Sequence, residues 1–386
     1  MPRSAVWSPL GLAALAVVAV FVWLGLNVYT NFGGNWTGLF CTGGQFRVPP
    51  DLDAGTWRFP NSPGYDGQFY RYIAHDPFFQ KGYAAFIDSP HFRYRRGLVP
   101  LLAWTLALGS AKWIDAAFIA VVLGSVFLGV YWSARYLASR GHHCAWGLVF
   151  LLLPATITSI DRMLTDAALA ACFAGLALYA ARKSWGEVYG ISAAAALVRE
   201  TGLLLAAGVV VYWVLKRRWL RAAVHGTAIL PALGWYAFVA VHAHAVRTPG
   251  SLDFPLVAFI RRLSYAPVDP NPAVQILLQV LGILGLAGLL GSLVLVVRWA
   301  WQRNPGPPEI CALLFAAVAL VLGQAVMSEA YAWGRAVSPL LLFVMFEAIA
   351  AGAWRALIPP LLVTANVGIT LGSQALNVVK TLAGLR

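Results

Sequence analysis

Asp66 sits in the glycine-flanked turn Gly64-Tyr65-Asp66-Gly67, immediately ahead of Gln68-Phe69-Tyr70-Arg71-Tyr72-Ile73-Ala74-His75-Asp76-Pro77. A carboxylate on a preorganised surface turn can reach an acceptor hydroxyl and take its proton, which is the work of a general base. The same position also fits a helix N-cap, where the carboxylate would only hold backbone N–H groups. Gln68, Tyr70, Arg71 and Asp76 distribute over the short helix that follows and are candidate substrate contacts, while the tyrosine and phenylalanine rings suit the headgroup layer. Asp76-Pro77 reads first as a turn or helix-stopping dipeptide, with a site role second.

Other polar residues interrupt apolar sequence at wide intervals. Ser159-Ile160-Asp161-Arg162-Met163-Leu164-Thr165-Asp166 carries two carboxylates five residues apart, a set that could hold a divalent cation or position a sugar. An Asp161–Arg162 ion pair with Asp166 as a helix cap accounts for the same residues. Arg199-Glu200 breaks an apolar stretch from Ile191 to Leu215, which requires a cavity or a helical hairpin tip, with an intra-hairpin ion pair as the alternative. Glu329 and Arg335 flank a further hairpin, and the planar donors of an arginine there match phosphate oxygens. Glu347 falls within an apolar run and is expected to hydrogen-bond inside the bundle.

Some patterns carry little. His242 and His244 are two apart and do not share a helical face, so they make no metal-ligand pair. Asn35-Trp36-Thr37 satisfies the glycosylation sequon, which matters only in a secretory cell. The cysteines Cys41, Cys144, Cys172 and Cys311 are scattered singly, without the paired spacing of a zinc or redox site.

The elements that must position these residues follow from composition. Of the 386 residues 60% are hydrophobic and 11% charged, and the mean hydropathy is +0.71, which excludes an ordinary soluble domain. Leucine, alanine and valine run without strand alternation, so the expected fold is an all-α polytopic membrane protein. The net charge of +13 lies at helix ends and in loops rather than in one patch, pointing to anionic lipid and phosphate as partners and not to nucleic acid.

Ala5 to Tyr29 follows Met1-Pro2-Arg3, exceeds a signal-peptide core and reads as a retained first helix. Later apolar runs include Phe118–Tyr136, Ala145–Ile160, Ala167–Ala181, Val224–Val241, Val274–Val297 and Ile310–Met327. The basic clusters at Arg135/Arg140, Arg182-Lys183, Lys216-Arg217-Arg218 with Arg221, and Arg298/Arg303 fall at alternate connections, where the positive-inside rule places them in the cytoplasm. That topology sets the first loop, the Asp161–Asp166 and Arg199–Glu200 turns, the Arg247–Pro272 loop and the Ser328–Ser338 turn outside. Gly97–Leu108, only 12 residues, would then lie in the outer interface as a juxtamembrane helix. The sum is about 11 transmembrane helices with the carboxyl terminus outside. The chain reads as a single domain over 1–386, with a first helix at 5–29, a large loop at 30–112, a helical bundle at 113–372 and a tail at 373–386.

This order of features resembles the GT-C superfamily of integral-membrane glycosyltransferases. The resemblance rests on Tyr65-Asp66-Gly67-Gln68-Phe69-Tyr70, on Arg93-Tyr94-Arg95-Arg96-Gly97-Leu98-Val99-Pro100 and on Leu197-Val198-Arg199-Glu200-Thr201, and it covers most of the first 220 residues. It implies an inverting sugar transfer from a polyprenyl-phosphate donor to an extracytoplasmic glycan, lipid or protein acceptor, in the bacterial cytoplasmic membrane. Asp66 matches the first-loop acidic residue of that superfamily, and Arg96 joins the candidate substrate contacts. The adjacent acidic pair usual in the family is missing here, so no cofactor is assigned beyond a divalent cation at Asp161 and Asp166. A lipid or polysaccharide transporter or flippase, and a non-catalytic scaffold of the same fold, are the competing readings.

Overall fold

The structure, a computed structural model, describes residues 8–243, 252–265, 271–302, 304–369 and 372–384. Arg3, Ala5, His244, Arg247 and Arg303 lie outside the described residues. Among the described residues every regular element is a helix, and β-pairing is confined to isolated bridges. Backbone groups facing hydrocarbon have no water to bond, so long runs of leucine, alanine and valine satisfy them within the helix itself.

Helix α1 (Pro9–Asn31) begins with Pro9 in its first turn and the Ser8 side chain accepting from the Gly11 N–H at 3.0 Å. After the first-loop segment come α2 (Asp66–His75) and α3 (Leu98–Leu106), then α4 (Ala111–Ser139), α5 (Pro154–Arg162), α6 (Asp166–Ala181), α7 (Trp185–Val198) and α8 (Leu203–Leu215). The chain continues through α9 (Trp219–His242), α10 (Pro272–Gln302), α11 (Pro307–Leu320), α12 (Ala330–Ala336), α13 (Ser338–Ala350), α14 (Ile358–Ile369) and α15 (Gly372–Leu382). Four of these, α1, α4, α9 and α10, are long and apolar enough to cross a membrane, and the number rises to seven if each bent helix pair is one span. This is the make-up of a multi-pass all-α membrane protein.

Several runs that read as continuous in the sequence are broken. Ala145–Ile160 divides at Leu153, whose extended backbone (φ −71°, ψ 135°) follows from the proline at 154, and the two pieces meet at 63°. Ile310–Met327 ends as a helix at Leu320, and Leu322 forms an isolated bridge to Leu252. The expected interruption at Arg199 is present: its extended backbone separates α7 from a 3-10 turn at Glu200–Gly202.

The first-loop segment is folded onto the bundle. Bridges from Thr42 to Gly64 and from Gly43 to Phe59 close its stem, and every residue of α2 is buried. Helix α3 has nine residues, about 14 Å of helix, against a hydrocarbon layer of about 30 Å. It therefore lacks the length to cross. Elsewhere small residues let helices approach: a Cβ on Gly288 of α10 would lie 2.4 Å from the Pro359 carbonyl oxygen of α14.

Because α3 cannot span, the exposed positions Asn61 and Ser110 should lie on one side of the membrane. Single cysteines at these positions, on a cysteine-free background, should both react with an impermeant maleimide added to intact cells. Reaction of one position only after lysis would mean that the chain crosses between them.

Candidate functional site

Asp66 is the first residue of α2, not its cap. The cap position belongs to Tyr65, whose side chain makes no capping bond, and the Asp66 carboxylate turns away from the backbone toward two arginines. Its Oδ1 lies 2.7 Å from Arg93 and its Oδ2 accepts from Arg335 at 2.6 Å. Two glycines make this placement possible. Gly64 has φ +71°, and a Cβ on Gly67 would sit 2.0 Å from the Arg162 carbonyl oxygen, so α2 can lie against α5 only with glycine there.

Arg335, near the end of α12, also approaches Asp166 at 3.4 Å, and Asp166 forms a buried ion pair with Arg199. Arg199-Glu200 is accordingly not an intra-hairpin pair. The two side chains diverge, Arg199 to Asp166 and Glu200 to Arg96 at 3.1 Å, because the extended backbone at Arg199 sends consecutive side chains to opposite sides. Arg96 in turn donates to the Tyr70 hydroxyl at 2.7 Å. Arg93 completes the cluster from the solvent side with hydrogen bonds to Asp88 at 3.0 and 2.8 Å. The outcome is one ionic network in which Arg93, Arg96, Arg199 and Arg335 face Asp66, Asp166 and Glu200, drawn from the first loop and three hairpin connections.

The network is packed against aromatic rings. Arg335 lies over Tyr65 at 5.2 Å, and Arg162 is held between Tyr65 at 4.6 Å and Tyr331 at 4.3 Å. Buried donors remain without hydrogen bonds, among them Nε of Arg199 and Nε of Arg335, together with the Tyr65 hydroxyl. Burial pushes the Asp66 carboxyl up, but Arg335, Arg93 and Arg96 outweigh it and hold the carboxyl well below the usual carboxylate range.

Other sequence candidates are placed elsewhere. Gln68 accepts from the Gly43 N–H at 3.2 Å and donates to the Pro63 carbonyl at 2.8 Å, fastening the stem of the loop. Arg71 pairs with Asp115 of α4 at 2.8 Å and donates to Thr56, and His75 shares the same carboxylate at 3.0 Å. Asp76 accepts from the Gln80 and Tyr83 N–H groups, a turn-building role. Glu329 is exposed at the start of α12. Glu347 lies 3.5 Å from Arg140 in the bundle interior.

The divalent-cation reading of Asp161 and Asp166 does not hold. Asp161 pairs with Arg162 at 3.1 Å and faces a 330 Å³ cavity with Val20 and Trp23, whereas Asp166 is bonded to Arg199 and Arg335. The αL backbone of Met163 (φ +47°) between them turns the two carboxylates to different neighbours. Among the described residues no group of three or more histidine, cysteine, aspartate or glutamate side chains is placed to hold a metal ion.

Two members of these ion pairs, Arg93 and Asp115, are functional residues that no spacing or motif argument assigns a role. Both carried a signal: Arg93 opens a basic run on the side that the positive-inside rule leaves poor in arginine, and Asp115 is a lone carboxylate within a span. No family model, curated protein or solved structure matches the chain.

A carboxyl held below its free value stabilises the fold only while ionised. Its contribution is full above the unfolded aspartate value of about 3.9 and is lost as pH falls below it. The stability advantage of the parent over Asp66→Asn should therefore be constant from pH 7 to about 5 and shrink below about 4 in thermal unfolding followed by tryptophan fluorescence. An advantage that does not vary over that range would mean Asp66 is not the titrating partner of these arginines. Gly67→Ala should lower stability by about 1–3 kcal/mol in the same assay, because the added methyl meets backbone rather than a movable side chain.

Proposed function

We propose that the protein is a GT-C-type membrane glycosyltransferase that moves a sugar from a polyprenyl-phosphate donor to an extracytoplasmic acceptor of the cell envelope. The observation that carries this reading is the meeting of Asp66 with Arg335 and Arg199 around Asp166: one carboxylate able to take a proton beside arginines able to take a phosphate. In this reading the chain has about 11 spans in a bacterial cytoplasmic membrane, and the network opens to the outer leaflet.

The chemistry follows from the charges. The acceptor hydroxyl attacks the anomeric carbon, the bond from that carbon to the phosphate oxygen breaks with its electron pair on the oxygen, and the proton passes to the Asp66 carboxylate. Backside attack inverts the anomeric centre. The charge that develops on the leaving phosphate is stabilised by guanidiniums already aimed there.

A carboxylate clamped by arginines is a weak base, and the ideal proton acceptor has a pKa near the working pH. An incoming donor phosphate supplies the missing change, because it takes hydrogen bonds from Arg335 and Arg199 and so loosens their hold on Asp66. The unpartnered Nε groups of both arginines give the phosphate oxygens donors that no protein acceptor uses. Tyr70, Arg96 and Glu200 flank the same network and belong to the substrate surface, while Gln68, Arg71 and Asp76 support it through the loop.

A transporter or flippase is favoured by one observation, the helix pairs bent by 63° and 60°, the first ending at Arg162 and the second carrying Arg335 just before its bend. The two readings differ in what Asp66 does.

Asp66→Asn should abolish sugar transfer in proteoliposomes supplied with polyprenyl-phosphate donors, with the protein still monodisperse and inserted. Near-parent turnover would reduce Asp66 to a structural ion-pair partner. Arg335→Ala and Arg199→Ala should each lower kcat/KM by roughly a hundredfold or more, as loss of a charge-stabilising donor does. The Lys variants should recover only part of this, since Lys keeps the charge but not the fork. Donor-dependent lipid movement without a transferred sugar would favour the transporter.

A further inference from the structure

We propose that the 620 Å³ cavity at the far end of the same helices is a second, anion-binding site built for a phosphate-bearing ligand. Helices α6, α7 and α8 fix its position. Helix α6 runs from Asp166 to Ala181, α7 returns from Trp185 to the residue before Arg199, and α8 leads from Leu203 to Leu215 beside Lys216. The cavity is lined by Ala181, Trp185 and Lys216, so it lies at the end of the bundle away from Asp66. The separation is the length of α6, 16 residues or about 24 Å.

Cations from separate connections converge on this cavity: Arg140 after α4, Lys183 between α6 and α7, Lys216 and Arg218 between α8 and α9, and Arg221 in the first turn of α9. Only Arg140 has a carboxylate, Glu347 at 3.5 Å; among the described residues none of the other four is ion-paired. The lining carboxylate, Glu309, is occupied at 3.0 Å with the Gly306 N–H at the start of α11. Lys216 donates to Asn304, a neutral partner, at 3.0 Å. At the first functional site arginines are matched by aspartates, whereas here five cations surround a cavity with one lining carboxylate, Glu309, and Glu347 behind Arg140. Like charges around one concavity repel, and an anion relieves that repulsion.

The walls specify more than charge. Trp213 is buried at 4% exposure, and its indole N–H has no hydrogen-bond partner. It packs against Trp185 with ring centroids 4.4 Å apart, and Arg221 lies over its face at 4.8 Å. Lys183 holds the left-handed backbone (φ +58°) at the end of α6, where glycine is the unstrained choice. Basic residues that merely orient a span need no such convergence. Several point charges and forked guanidiniums suit an anion with several oxygens, that is, a phosphate monoester or diester. The volume also exceeds a bare phosphate and leaves room against the aromatic wall for the group it esterifies. A lipid headgroup and a soluble phosphorylated molecule share this chemistry.

The test uses the full chain and two probes. Inorganic pyrophosphate is titrated onto the protein in zwitterionic detergent, and phosphatidylglycerol retention is measured by native mass spectrometry after extraction from phosphatidylcholine nanodiscs with and without that lipid. Saturable binding of at least one probe is expected, weakened by roughly tenfold or more in Arg218→Gln/Arg221→Gln, each arginine contributing charge-assisted hydrogen bonds. Both arginines are exposed, so the variant should fold. Pyrophosphate binding lost in this variant points to a soluble ligand, and phosphatidylglycerol retention lost in it points to a lipid. Absence of saturable binding with either probe overturns the proposal. So does binding that survives the double substitution and disappears in Arg199→Ala, which would place the anion at the Asp66 network instead.

Discussion

A buried charge in a lipid-surrounded bundle has to be compensated within the protein, and the Arg335 guanidinium is where that constraint concentrates. It touches Asp66 from the first loop and Asp166 from a hairpin, while Asp166 also holds Arg199. Asp66 and Arg335 are 269 positions apart. The network therefore ties the first-loop segment to the bundle as one unit. Most members have two partners, but among the described residues Arg199 has Asp166 alone, and replacing that aspartate leaves a buried guanidinium unpaired at a cost of about 3–5 kcal/mol.

Holding these side chains in place requires backbone that is not helical. Leu153 before Pro154 and the extended Arg199 each end a helix, and Met163 adopts a left-handed conformation at the end of α5. Such breaks are tolerated at membrane depth where surrounding protein shelters the freed backbone groups. The short lengths of α5, α6, α7 and α8 are the counterpart: each stops where a charged residue must be delivered. The Gly67 contact with the Arg162 carbonyl shows how closely the loop is pressed onto these breaks.

The same helices carry opposite electrostatics at their two ends. At one end arginines and aspartates are interlocked and buried, so an arriving anion has to exchange with a carboxylate. At the other, lysines and arginines surround a cavity with a single lining carboxylate that is already engaged. An anion there meets four cations that no carboxylate among the described residues pairs. This asymmetry gives the bundle a direction that its apolar surface does not have.

The sequence by itself determined the class: so many leucines, alanines and valines with so few charges leave helices as the only way to satisfy the backbone in lipid. It also marked Asp66, Asp166, Arg199 and Arg335, because charged residues in apolar surroundings stand out, and it located the helix break at Arg199. It did not determine partners. Helices apolar on all sides carry no periodicity that says which face meets which neighbour, so nothing local pairs Arg199 with Asp166 rather than with Glu200. The same gap let Gln68, Arg71 and Asp76 read as substrate contacts, when the folded loop uses them for its own stem, for Asp115 and for a turn. Only tertiary structure assigned those partners, because an ion pair across a bundle depends on which helices pack together, and that is a property of the whole chain.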